Sequence, residues 1–186
     1  IPFAGVRSFA VETATENLIQ NPQFLEGMTG YDVNNWGGGG YLEAIDGILH
    51  MHNENSTDKL ALLKNLTLDT AKTYTLSAKV RSANSKNITV SCSLGSGYKT
   101  LGTAPASGEW VILHYTYMPG EFSANPLMHF KINAGYYLQV DWLQLEQKPF
   151  ASSFVDGSRQ TGRLVISVKD LKFDIANDDW VISYWK

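Results

Sequence analysis

The sequence predicts an all-β chain: a two-sheet antiparallel β-sandwich with extended segments at either end. Three observations carry this. Several stretches alternate apolar and polar residues with period two, as half-buried strands do. Polar, turn-rich clusters separate them at close to the roughly 8–12 residues usual in antiparallel sandwiches. No stretch sustains the 3.6-residue apolar period of an amphipathic helix.

Taken in order, residues 1–16 read as an extended lead-in with no partner of its own. Strands are expected at 31–36, 40–51 and 59–65. In the last, Leu60-Ala61-Leu62-Leu63-Lys64 holds helix formers, but its apolar period is poor and Asn65 follows at once, which makes it a buried strand. The clearest strand is 73–81, where Tyr74, Leu76, Ala78 and Val80 alternate with Thr75, Ser77, Lys79 and Arg81. Asn84-Ser85-Lys86-Asn87 suits a hairpin into the next run, whose Ile88, Val90, Cys92 and Leu94 share one face. Further strands are expected at 98–102, 110–118, 127–133 and 136–146. After Pro149 the stretch PFASSFVDGSRQTGR reads as a linker, and LVISVKDLKFDI and DWVISYWK then resume a strand pattern.

Composition narrows the function. The 186 residues carry 15 Lys+Arg against 18 Asp+Glu, net −3, which argues against nucleic acid as a partner. Charged residues are 18% and aromatics 12%, the reverse of a disordered chain. No apolar run approaches the ~18 residues of a spanning helix, so membrane insertion is not expected. The one cysteine, Cys92, forms no internal disulfide and sits on the apolar face of its strand, a buried thiol rather than a nucleophile. The start at Ile1 reads as an excised or processed segment of something longer. The sequence has no G-x-S-x-G elbow, H-E-x-x-H, Walker loop or dinucleotide fingerprint, and no enzymatic activity is expected.

Three stretches carry a family resemblance: NLIQNPQF at Asn17–Phe24, the run from Gly108-Glu109-Trp110 to Met118-Pro119-Gly120, and Tyr137 to Glu146 with the following Pro149-Phe150-Ala151-Ser152-Ser153-Phe154. Together they resemble the carbohydrate-binding-module jelly rolls appended to xylanases and cellulases, over residues 17–155. The ending QLEQKPFASSFVDGSR is similar to versions in tail and adhesion proteins of phages infecting Gram-positive bacteria. The tail LVISVKDLKFDI…DDWVISYWK resembles the opening of a laminin-G or concanavalin-like module. The resemblance divides the chain into a lead-in or linker (1–16), a carbohydrate-binding-like sandwich (17–155), and a linker with the first strands of a following module (156–186). It also implies a structural calcium, with Asp141 at the family's last-strand aspartate. The acidic position after Phe24 is Leu25 here, with Glu26 one step later; that departure removes a ligand or shifts it to the opposite side of the strand, and the nameable oxygen donors are Asp141, Glu26 and Glu43.

The implied role is non-catalytic attachment to a cell-surface or cell-wall polysaccharide, as one module of a phage tail or bacterial surface protein. The setting is then a virion or the cell exterior, with neighbouring modules of the same polypeptide as partners and a homo-oligomeric assembly. A purely structural spacer without a sugar ligand is the alternative. Sugars stack their C–H faces on aromatic rings and take hydrogen bonds from planar polar groups. Tyr31, Trp36 and Tyr41, around Gly37–Gly40, are the first candidates, with the glycines admitting a ligand or another backbone, and a plug at one end of the sandwich is the other reading of Trp36 and Tyr41. Arg81 and Lys79 beside outward His129 and Lys131, with outward Trp142, make a second group, and Tyr98 a third. Trp110 reads as an anchor of the sandwich edge. His50 and His52 share a strand face and could reach one zinc, but no third ligand is signalled, and a polar strand face is the simpler reading.

Overall fold

The computed structural model describes residues 14–36, 39–53 and 59–159. Within these the regular elements are strands: β1 Thr15–Glu16, β2 Asp32–Trp36, β3 Gly40–Ile45, β4 Ile48–Asn53, β5 Lys59–Asn65, β6 Tyr74–Ser82, β7 Ile88–Ser93, β8 Lys99–Ala104, β9 Val111–Tyr117, β10 Leu127–Ile132, β11 Tyr136–Glu146 and β12 Ser158–Arg159. One five-stranded sheet runs β2-β5-β10-β7-β8 and the other β3-β4-β11-β6-β9, every pairing antiparallel. The all-β sandwich is therefore the fold, and 59–65 is a strand, as its broken apolar period implied.

The alternation read from sequence fixes what lies between the sheets. Leu76, Ala78 and Val80 of β6, with Leu138, Val140, Leu143 and Leu145 of β11, face Leu60, Leu62, Val90, Cys92 and Phe130 of the other sheet, all at 0% exposure. Each large side chain buried this completely contributes about 1.5–3 kcal/mol, so this layer dominates the stability. Burial pushes the Cys92 thiol up to about 12, which removes it as a nucleophile at neutral pH.

Two turns differ from the sequence reading. The single strand expected over 40–51 is a hairpin of β3 and β4, because Asp46 (φ 50°) and Gly47 (φ 75°) both take the left-handed conformation. Asp-Gly is the preferred pair for such a two-residue turn, and it stands in the sequence between Ile45 and Ile48. Conversely, 84–87 is no hairpin: β6 and β7 belong to opposite sheets, and the segment carries the chain from one layer to the other. Two strands facing one core from opposite sides show the same alternation as two neighbours in a sheet, so periodicity alone does not separate the cases.

The lead-in reading left residues 1–16 unpartnered, yet Thr15 and Glu16 pair with Arg159 and Ser158 as a two-stranded ribbon. Asn17 extends this tie. Its N–H donates to the Gly157 carbonyl at 2.7 Å, and its side-chain amide donates to the Leu143 and Val155 carbonyls at 3.0 and 3.2 Å. The tail likened to a laminin-G opening falls in 160–186, outside the described residues.

Candidate functional site

The outer face of the β3-β4-β11-β6-β9 sheet divides into an open half and a covered half. Strand register builds the open half in two rows. Tyr41 of β3 stands opposite His52 of β4, which stands opposite Tyr137 of β11. The next row runs Glu43, His50, Gln139 and Arg81 across β3, β4, β11 and β6.

Rings dominate the first row. Tyr41 is 49% exposed and stacks on His52 with centroids 5.0 Å apart and planes 14° from parallel. His52 meets Tyr137 at 4.4 Å. Hydrogen bonds organise the second row. Arg81 Nε donates to Gln139 Oε1 at 2.5 Å, which turns the Gln139 amide nitrogen toward His50 Nδ1, 3.3 Å away. His50 Nδ1 therefore acts as acceptor and the neutral ring carries its proton on Nε2. The Tyr137 hydroxyl donates to the same nitrogen at 2.5 Å. Burial, and then the nearby Tyr41, push the Tyr137 phenol above its usual value, so it stays a neutral donor. At the far end the Arg81 guanidinium lies 4.7 Å from the Trp110 ring centre. Fixed side chains of this kind bind with little loss of rotamer freedom.

The first row opens at one end into a cavity of about 310 Å³, walled by His52, Asn53, Asn84, Lys86, Tyr136 and Tyr137. That is the lower end of the range for small-molecule sites.

The covered half begins at Trp142. It points outward, opposite in parity to Leu143 and Leu145 after a register slip between Val140 and Trp142, but it is 6% exposed because Phe154 stacks on it at 4.8 Å and 24°. The strap 147–159 that brings Phe154 across is fastened to Glu146, whose side chain is 0% exposed. Its carboxylate accepts from Ser152 N (2.8 Å), Ser152 Oγ (2.7 Å), Thr15 Oγ1 (2.7 Å) and Gln144 Nε2 (3.0 Å). Burial alone would raise the Glu146 carboxyl; these donors outweigh it and hold it below the usual carboxylate value. Trp142 thus lies beneath the strap, where no ligand meets it directly.

Of the sequence-derived residues, Tyr31 is corrected to a core residue, buried against Phe24 with ring centres 5.3 Å apart, and others are split between the two outer faces. Tyr41 and Arg81 share the open half. Tyr98 and His129 come together elsewhere, on the outer side of the β2-β5-β10-β7-β8 sheet, with Tyr98 Oη 3.3 Å from His129 Nδ1 and Lys131 Nζ 3.9 Å from the Tyr98 ring centre. The grouping of Arg81 and Lys79 beside His129 and Lys131 is corrected accordingly: β6 and β10 lie in different sheets. Trp36 ends β2, and its side chain lies outside the described residues, as do Gly37 and Gly38. At Gly40 the close neighbour is another backbone, since a Cβ there would stand 2.9 Å from the His52 carbonyl oxygen.

The reading missed Trp110, Tyr137 and Gln139 as site residues and took His50 and His52 for a plain polar face. Alternation along Tyr137-Leu138-Gln139 and His50-Met51-His52 already put all four on outer faces. Trp110 has the parity of outward Ile112, not of the core residues Val111 and Leu113.

Of the calcium residues, Asp141 lies 2.7 Å from the Lys79 ammonium, which an incoming cation would have to displace. Glu26 is exposed, in a turn organised by Asn21, whose Oδ1 accepts from Glu26 N at 3.1 Å. Among the described residues no group of three or more His, Cys, Asp or Glu is placed to hold a metal ion. Asp141 and Glu26 by themselves thus fall short of the six to eight oxygens calcium takes.

No family model matches the sequence. No curated protein matches it either. Solved structures do. A CBM4 carbohydrate-binding module superposes with a TM-score of 0.54 at 16% identity, over 70% of this chain and 99% of that one. The CBM22-1 xylan-binding domain of Paenibacillus barcinonensis Xyn10C gives 0.54 at 15%, over 75% and 99%. The enzymatically active domain of tailspike protein 4 of bacteriophage CBA120 gives 0.54 at 7%, over 69% of this chain and 21% of that one. At such identities the likeness is one of fold, and the fold is the jelly roll of carbohydrate-binding modules.

Proposed function

We propose that the chain is a non-catalytic sugar-binding module that holds a polysaccharide along the open half of its outer sheet face. The observation that carries this is the combination on one face of an exposed ring stack, Tyr41 on His52 beside Tyr137, with the fixed polar chain His50, Gln139 and Arg81. Pyranose C–H faces lie on the rings, while ring hydroxyls exchange hydrogen bonds with His50 Nε2–H, Gln139 and Arg81. Trp110 offers a further ring at the Arg81 end. No bond is made or broken in this role.

One such face grips weakly, so attachment comes from several copies acting together. The proposed setting is a phage tail or bacterial surface protein, on a virion or outside the cell, in a homo-oligomeric assembly with neighbouring modules on the same polypeptide. The tailspike likeness and the phage-type ending QLEQKPFASSFVDGSR support it. The boundaries 17–155 for the module and 156–186 for the start of a successor belong to the same proposal.

A spacer without sugar ligand draws on the covered Trp142 and on exposed Ile112, Ile45 and Leu25, which suit a protein neighbour. A glycan and cell-wall polysaccharide array with the whole chain separates the two, repeated with Tyr41→Ala and Tyr137→Ala. Binding weakened several-fold in both variants, with melting temperatures retained, is the expected result. An array blank for the parent chain favours the spacer.

A further inference from the structure

We propose that the cavity at the Tyr137 end of the aromatic row selects a negatively charged substituent, a carboxylate or phosphate, on the bound sugar. This rests on the sugar-binding reading and narrows its ligand class. The cavity shares His52 and Tyr137 with the row, so a ring stacked there projects a substituent into it. Its polar wall is an ammonium, an imidazole, two carboxamides and two phenols, from Lys86, His52, Asn53, Asn84, Tyr136 and Tyr137, and among the described residues that line it none is a carboxylate.

Lys86 is held in place there. Its Nζ donates to the Gly135 carbonyl at 3.0 Å, an acceptor shared with Asn84 Nδ2 at 3.0 Å. One N–H of the ammonium is used in this way, and an ammonium has three. Asn84 Nδ2 likewise keeps a second N–H. Both donors line the same small volume and share one carbonyl, an arrangement that suits an oxyanion. The sign also runs against the whole chain, which is net −3. On the open half Glu43 stands at the outer strand β3, opposite His50 and away from the cavity, while Asp141 is neutralised by Lys79 at 2.7 Å. A recess whose charged group, among the described residues lining it, is the Lys86 ammonium concentrates anions locally.

The test is nuclear magnetic resonance titration of the whole chain with methyl β-glucoside, methyl β-glucuronide and glucose 6-phosphate, following the Asn84 side-chain amide and the Gly135 N–H. At least one charged sugar should bind about tenfold or more tighter than the neutral one, the order of one charge-assisted hydrogen bond. The preference should shrink with salt and vanish in Lys86→Gln. Which anion wins tells a uronic acid from a phosphorylated glycan. Equal binding of charged and neutral sugars, or a preference that survives Lys86→Gln, overturns the inference and leaves the sugar-binding role standing. Failure of all three probes to bind overturns both.

Discussion

The two halves of one sheet face share β6 and β11 and carry a tryptophan each, yet they do opposite things. Arg81 lies against Trp110 and leaves a ring stack open beside it, whereas Phe154 lies on Trp142 and seals it. The difference arises outside the strands. A buried carboxylate, Glu146, fastens the strap over one half, and no described segment crosses the other in the same way. Alternation tells which way a side chain points, but what lies above it depends on contacts distant in sequence.

The largest change should come from unfastening the strap. Glu146→Ala leaves the Ser152, Thr15 and Gln144 donors without their acceptor and should cost about 3 kcal/mol or more by denaturant unfolding. Trp142 should then become accessible to acrylamide quenching, a change absent in a Trp142→Phe background. If Trp142 stays shielded, the strap has another fastening and the contrast between the halves is weaker than drawn.

Next come the rings. Tyr41→Ala or Tyr137→Ala should lower sugar affinity by about 1 kcal/mol each, roughly fivefold, in calorimetric titration. Phe154→Ala should leave affinity unchanged and lower stability by about 1–3 kcal/mol. A reversal of these two results would move the site under the strap.

Acid should loosen the covered half through Glu146. Glu146 has a folded-state value below its ordinary 4.5, so its stabilisation is complete above about pH 4.5 and is lost as pH falls through the depressed value. Glu121, held down by a hydrogen bond from Lys99, adds its own acid dependence. The comparison that isolates Glu146 is therefore parent against Glu146→Gln. Stability of the parent should fall more steeply below pH 4.5, and parallel curves would show that Glu146 does not titrate with unfolding.

The smallest effect is expected on the opposite sheet. Tyr98→Ala removes a ring packed against Lys131 and should shift sugar affinity by less than about 0.5 kcal/mol. A larger loss would place binding on the wrong side of the sandwich for everything argued above.

Much of the fold was legible because burial on one face leaves a period-two trace. Leu76, Val80, Phe130 and Leu143 could be assigned inward from that trace alone. Strand order leaves none: nothing local in Arg81 or His129 says that β6 and β10 belong to different sheets. The Asp46-Gly47 turn was readable and was passed over for a longer strand. The site was half legible. Tyr41 and Arg81 stood out by chemistry, but His50, Gln139 and Tyr137 become a site only when β4 and β11 are neighbours, which is a matter of pairing across 87 positions from His50 to Tyr137.

The ribbon of β1 and β12 has a mechanical consequence. Thr15 lies opposite Arg159, so the chain enters and leaves side by side. Tension applied through the two flanks would open that ribbon one hydrogen bond at a time, as a zipper opens, before any load reached the sandwich. The sandwich therefore hangs from a single point like a pendant, and a pull along the polypeptide leaves its open sheet face unstrained.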